Sequence, residues 1–162
     1  MRLTRYSDYS LRMLMYLAVQ EPQQGSIAGI AAAYGISENH LTKVAHRLGQ
    51  LGFVLTTRGR GGGLRLGRAP AAINIGDVVR QTEEDLALVE CFAGGACVIT
   101  APCRLRHALS QALAAFLAVL DGYTLADLVG NGAGLAIASL LGVEPADDRH
   151  ELEHGSSARQ LP

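Results

Sequence analysis

Residues 26–66 read SIAGIAAAYGISENHLTKVAHRLGQLGFVLTTRGRGGGLRL, and this stretch decides the fold. Ser26 can cap a short helix, Ile27 to Tyr34, because its side-chain oxygen takes a backbone N–H that the first turn leaves free. Gly35 ends that helix at a left-handed position, which a residue without Cβ occupies cheaply. Ser37 then caps a third helix, Glu38 to about Leu51, on which Leu41, Val44, Ala45 and Leu48 form an inward stripe. Asn39, His40, Lys43 and Arg47 lie elsewhere on its surface. Helix, Gly-containing turn, helix is the helix-turn-helix arrangement.

The residues that follow sharpen this reading. Gly52-Phe53-Val54-Leu55 begins a strand, Arg58-Gly59-Arg60-Gly61-Gly62-Gly63 is a basic turn, and Leu64-Arg65-Leu66 alternates as a returning strand. Such a hairpin is a wing. Its glycines let the backbone approach a groove closely, and its arginines can enter a minor groove or clamp phosphates. A glycine-rich segment can instead cradle a nucleotide phosphate, but neither the Walker spacing nor a strand-GxGxxG-helix context is present, so no enzyme is expected. The candidate DNA contacts are Ser37, Asn39, His40, Lys43 and Arg47 from the helix, and Arg58, Arg60 and Gly61 from the wing. Asn39 suits adenine and Lys43 guanine in a major groove. His46 reads as a packing or surface group.

Charge supports the assignment. Residues 1–68 hold nine Arg/Lys against three acids, whereas residues 69–162 hold five against twelve, although the whole chain carries only -1. The basic half is the nucleic-acid candidate, because phosphate contacts supply most non-specific affinity. A charge run alone is usually a solvated face, but here it coincides with a motif.

Upstream, Leu11, Leu14, Met15, Tyr16, Ala18 and Val19 repeat with helical period and end near Glu21-Pro22. Downstream, Ile73 to Gln81 reads as a short helix closing the DNA-binding domain. Thr100 with Pro102 forms a helix start, after which Leu105, Leu109, Leu113, Phe116, Leu117 and Leu120 recur at three- and four-residue steps. Such a stripe is more often core, but beside a winged domain with its own core it is a dimerisation candidate. Gly122-Tyr123 breaks the helix, residues 124–129 make a further short turn, and the apolar segment Gly134 to Val143 could pad a dimer interface. The expected fold is mostly α with a small β-wing. It divides into a winged helix-turn-helix domain (1–82), a cysteine loop (83–103), a dimerisation helix with a C-terminal helical segment (104–143) and a disordered tail (144–162). No stretch reaches the roughly 18 apolar residues of a membrane span. The first residues lack a secretory apolar run, so a reducing cytoplasm is expected.

Cys91, Cys97 and Cys103 are the chain's three cysteines and recur every six residues. A disulfide framework wants an even count, and a structural zinc site wants four ligands with a close Cys pair. Iron–sulfur clusters are held mainly by thiolates and tolerate another ligand on one iron, so three thiols plus a borrowed fourth group fit a cluster better. Three unrelated buried thiols are the plain alternative.

RYSDYSLRMLMYLA, RGRGGGLRLG, IGDVV, the Cys-x5-Cys-x5-Cys array and GYTLADLV, in that order over about residues 1–130, resemble the winged-helix iron–sulfur regulators that also include IscR. Among these the similarity is to the nitric-oxide-sensing repressors. The resemblance implies a homodimer that binds double-stranded operator DNA, carries a [4Fe-4S] cluster on Cys91, Cys97 and Cys103, and releases DNA when the cluster is nitrosylated. Relatives of the IscR type place a histidine three residues after the last cysteine, where this chain has Arg106, with His107 one step later. The resemblance to the nitric-oxide sensors points instead to Asp8 of the other subunit as fourth ligand; His107 and Glu90 are further candidates. A carboxylate is a harder partner for cluster iron than thiolate, so that iron is the one open to a small diatomic molecule. Asp8 could otherwise be an N-cap or first-turn acid of helix one. Three other readings stay open: an iron or cluster-supply sensor with a [2Fe-2S] centre, a thiol-redox or zinc regulator, and an electron-transfer or cluster-carrier protein that does not bind DNA sequence-specifically.

Overall fold

A computed structural model describes residues 2–57, 59, 62–95 and 97–144. The wing positions Arg58, Arg60 and Gly61, and the tail from residue 145, lie outside the described residues. The chain begins with α1 (Arg5–Gln20), whose N-cap is Thr4: its Oγ1 accepts the Ser7 N–H at 3.2 Å. Asp8 therefore lies just inside the first turn and is not the cap. Met13, Leu14 and Leu17 on α1 are almost fully buried and form the centre of the core.

Helices α2 (Ile27–Tyr34) and α3 (Glu38–Gln50) follow as expected, joined by Gly35 at φ 64°. Ser26 caps α2 through its side chain, whereas Ser37 occupies the N-cap of α3 without making a side-chain cap bond. The wing consists of β1 (Val54–Thr56) and β2 (Leu64–Leu66), antiparallel with Val54 opposite Leu66. The strand starts at Val54, two residues later than the Gly52-Phe53-Val54-Leu55 pattern suggests, and Phe53 just before it is a fully buried core side chain. The wing base is sewn to the loop before α2 by reciprocal bonds between Gly25 and Leu64, of 2.9 and 2.8 Å. A Cβ on Gly63 would lie 2.7 Å from the Gly25 carbonyl oxygen, so this approach requires glycine.

A 3-10 turn at Pro70–Ala72 leads into α4 (Ile75–Thr82), which begins two residues later than the apolar pattern suggests because Asn74 supplies the cap. A second 3-10 turn, Glu90–Phe92, opens the cysteine loop. The long helix α5 (Arg104–Asp121) starts at Cys103, not at Thr100 or Pro102. It is followed by α6 (Leu125–Val129), opened by a capping box between Thr124 and Asp127, and α7 (Ala133–Leu141).

The two ends of the C-terminal region behave differently. Leu125 is fully buried in the same core as α1, α3 and the wing, and Leu128, Val129, Leu141 and Val143 pack against that core. One side of residues 125–143 thus belongs to the winged domain's own interior, while Leu135 and Leu140 of α7 stay exposed. By contrast α5 contains no buried residue over its 18 positions, and exposes Leu105 and Val119. Its C-terminal end is fixed to α4 by the bidentate Arg80–Asp121 pair, both bonds 2.6 Å, and by Asn74 Nδ2 donating to the Asp121 carbonyl at 2.7 Å.

Candidate nucleic-acid interface and metal centre

The stripe Leu41, Val44, Ala45 and Leu48 holds α3 against the core, so the other side of the helix faces outward. Asn39, His40, Lys43 and Arg47 are all exposed there, as are Ser37 and His46. Asn39, Lys43 and Arg47 follow one another at four-residue steps and form a row along the helix surface. Two tyrosines of α1 support this row from behind. Tyr9 and His40 have ring centroids 6.3 Å apart, and the Tyr6 hydroxyl donates to the Lys43 carbonyl at 3.4 Å. Burial pushes the Tyr6 phenol up, partly opposed by Arg47 nearby. The start of α1 therefore rests directly on α3.

Arg65 on β2 points outward between buried Leu64 and Leu66, a cation that the alternation of the strand places beside the wing. Arg68 carries charge but serves the fold. Its guanidinium lies 4.7 Å from the Phe53 ring centroid and donates to the Leu51 carbonyl at 2.9 Å. Counting basic residues in the first half of the chain does not separate these two uses, because only the hairpin register distinguishes them.

The cysteine loop is built from tight turns. The Glu90 carbonyl accepts both the Ala93 and Gly95 N–H groups, at 3.1 and 3.0 Å, and a Cβ on Gly95 would sit 2.8 Å from that same oxygen. The Cys97 carbonyl accepts the Thr100 hydroxyl at 2.8 Å. Cys91 and Cys103 are half-buried, Cys97 is exposed, and none is in a disulfide. Cys103 is the N-cap of α5, its Sγ accepting the Arg106 N–H at 3.4 Å. The Arg106 guanidinium reaches back over the Phe92 ring, 5.8 Å from its centroid. Arg106 thus ties the turn carrying Cys91 to the helix capped by Cys103, a role the sequence reading did not assign. An arginine three residues after a helix-capping thiol and an aromatic next to the first thiol were the available signals.

Among the described residues, no group of three or more His, Cys, Asp and Glu side chains is placed to hold a metal ion. Asp8 is not brought to the thiols of its own chain. It accepts from Arg12 Nε at 2.9 Å, and the Arg12 guanidinium lies 5.7 Å from the Tyr34 ring centroid. Donating this hydrogen bond to Asp8 raises the Arg12 pKa further above its ordinary value. Glu90 and His107 are exposed, one at the first turn of the loop and the other near the start of α5. Chemically the donors suit an iron–sulfur cluster: three unpaired thiols on a glycine-shaped loop, the soft ligands that such clusters take.

Polar contacts join the start of this loop and the end of α4 to α1. Glu83 Oε1 accepts the Thr4 N–H at 2.8 Å and the Thr4 hydroxyl at 3.1 Å. Behind it, the buried Thr82 hydroxyl donates to Ser7 Oγ at 2.9 Å.

The family model described as "Rrf2: Iron-dependent Transcriptional regulator" matches residues 3–131. The HTH-type transcriptional regulator NsrR of Bacillus subtilis (strain 168) is 58% identical over 134 residues, covering 81% of this chain and 92% of that protein. NsrR of Geobacillus kaustophilus (strain HTA426) is 56% identical over 138 residues, covering 83% and 94%. Among solved structures, CymR (YrzC), the global cysteine regulator of B. subtilis, superposes with a TM-score of 0.67 at 29% identity, covering 79% of this chain and 95% of that one. T. potens IscR gives 0.65 at 26% identity, covering 82% and 88%.

Proposed function

This chain belongs to the Rrf2 family of winged-helix transcriptional regulators, and from that premise we propose that it is a homodimeric repressor that binds operator DNA and releases it on nitrosylation of an iron–sulfur cluster. The relatives named above are regulators, not enzymes. The observation that carries the reading is the set of three unpaired thiols on a loop joined at one end to α1 and at the other to the exposed helix α5.

The parts take the following roles. Asn39 and Lys43 read base edges in the major groove, with Ser37, His40 and Arg47 beside them. Arg58, Arg60 and Gly61 approach the minor groove and its phosphates. The outer face of α5 pairs with its copy in a second chain, which sets two recognition helices at the spacing of operator half-sites. Cys91, Cys97 and Cys103 hold the cluster, of [4Fe-4S] type, and Asp8 of the partner subunit completes its ligands. When bound, the cluster supplies an iron with one hard, exchangeable ligand where nitric oxide can attach. Asp8 set free can pair with Arg12 of its own helix, the arrangement seen in the single chain. Tyr6 and Tyr9 then transmit the altered position of α1 to the backbone of the recognition helix. Action in the cytoplasm accords with a DNA target and reduced thiols; no helix among the described residues is long and apolar enough to cross a membrane.

Anaerobic purification tests this reading. A brown dimer with absorption near about 400 nm that binds operator DNA and releases it on adding nitric oxide is the expected result. A colourless protein, or operator binding indifferent to nitric oxide, rejects it. A [2Fe-2S] spectrum would move the protein to the cluster-supply reading.

A further inference from the structure

Four polar side chains near the start of α1 have no part in DNA contact or in holding the cluster. Thr4 caps the helix, and Ser7 is fully buried and receives the Thr82 hydroxyl. Thr82 Oγ1 also lies 2.8 Å from the Val78 carbonyl, which accepts its single proton when the Ser7 hydroxyl donates in turn to Thr82, so its position is fixed within α4. Glu83, the next residue, takes two bonds from Thr4. Asp8 directly follows Ser7, and its own N–H donates to the Thr4 carbonyl at 3.1 Å. The turn that presents Asp8 is therefore clamped by a buried contact to the last residue of α4 and by exposed ones to the first residue of the segment running to Cys91.

We infer that Thr82 and Glu83 are positioning residues for Asp8, and that through them each chain's own cysteine loop controls the ligand which that chain gives to its partner. This rests on the reading that Asp8 completes the partner subunit's site. The consequence is a closed circuit. One chain's loop sets its Thr4–Ser7 turn, that turn aims Asp8 at the other chain's site, and the other chain's loop returns the same control. The two sites of the dimer are then energetically coupled although each holds its own three thiols. Hydroxyl pairs suit this purpose, because a buried, satisfied bond has one geometry and leaves an unpaired oxygen when displaced.

The test uses the full-length dimer and a heterodimer in which one differently tagged chain carries Cys91→Ala, Cys97→Ala and Cys103→Ala. The surviving cluster in the heterodimer receives its carboxylate from the chain whose loop is unorganised. Its visible circular dichroism should differ from that of the fully loaded dimer, and its reaction with nitric oxide should be faster by about five-fold or more, the lower end of ordinary coupling between sites. Introducing Thr82→Val, or separately Glu83→Ala, into both chains should abolish that difference between half-loaded and fully loaded forms. Identical spectra and rates for the half-loaded and fully loaded forms with Thr82 and Glu83 intact would overturn the coupling, whatever the variants do. A persistent difference in both variants would remove Thr82 and Glu83 from the route. Asp8→Ala separates this from the underlying reading: an unchanged cluster spectrum there rejects ligation by Asp8, whereas a changed spectrum with uncoupled sites rejects the present inference alone.

Discussion

Arg68 and Arg65 stand three residues apart with the same charge, and the hairpin gives them opposite duties. Arg68 covers the Phe53 ring and bonds the Leu51 carbonyl, closing the junction between α3 and the wing. Arg68→Ala should therefore destabilise the domain by about 1 kcal/mol, lowering Tm by about 2–4 °C, while leaving the salt dependence of DNA binding unaltered. Arg65, outward on β2, should show the reverse: Arg65→Ala leaves Tm in place and reduces the salt slope by about one unit if it meets a phosphate. Thermal denaturation and titrations at several salt concentrations separate the two. Arg12 is a third case, its charge divided between Asp8 and the face of Tyr34, so that one side chain links α1 to the first helix of the helix-turn-helix.

At the scale of elements, the junctions are held by exposed polar contacts whose strength follows pH. Hydrogen bonds from Thr124 hold the Asp127 carboxyl below its ordinary value of 3.8, and Arg80 does the same for Asp121. A carboxyl depressed in the folded state adds stability above its unfolded pKa, and that contribution is lost as the pH falls through the folded value. Asp127→Asn should accordingly flatten the decline in Tm below about pH 4, because it removes the group whose protonation opens the capping box. Gly76 makes a steric prediction at the same junction. A Cβ there would collide with the Asp121 carboxylate, so Gly76→Ala should displace Asp121 from Arg80 and loosen α5 from α4, read as faster amide exchange at the end of α5.

How far these elements were legible depended on the locality of the signal. Ser26, Gly35 and the 3.6-residue stripe of α3 act within one or two turns, and the helix-turn-helix is visible from them alone. The start of α5 was misplaced because cysteine is an uncommon cap, and Thr100 with Pro102 offered a more conventional one. The destination of α7 could not be read, since Ala138 and Leu141 are apolar whether they meet another chain or α1; only long-range packing decides it. At the candidate site, spacing picked out the thiols, but the Glu83–Thr4 and Thr82–Ser7 contacts span more than seventy residues, beyond any periodic pattern.

For the whole molecule, α5 is the exposed feature that one chain cannot explain. An 18-residue helix without a buried position gains little from tertiary packing, which is the usual source of helical stability. Leu105 and Val119, fourteen residues apart and both largely exposed, lie close to one face and suit a partner helix. Val119→Glu should give monomers in analytical ultracentrifugation. Operator affinity should fall on the order of a hundred-fold, since two half-sites would no longer be engaged by one particle. Unchanged sedimentation would place the dimer contact elsewhere.

Cys103 gives that helix an unusual beginning. The first rung of α5 is a sulfur atom, so the helix length is tied to a bond that solution chemistry can alter. Alkylating Cys103 replaces its S–H with a bulky S–C group that forces Sγ away from the Arg106 N–H, and the amides from Arg104 to Arg106 should then exchange faster while the rest of α5 holds. A covalent event at a single atom would in this way be recorded as a shortened rod, shifting the end of the surface proposed to meet a second chain.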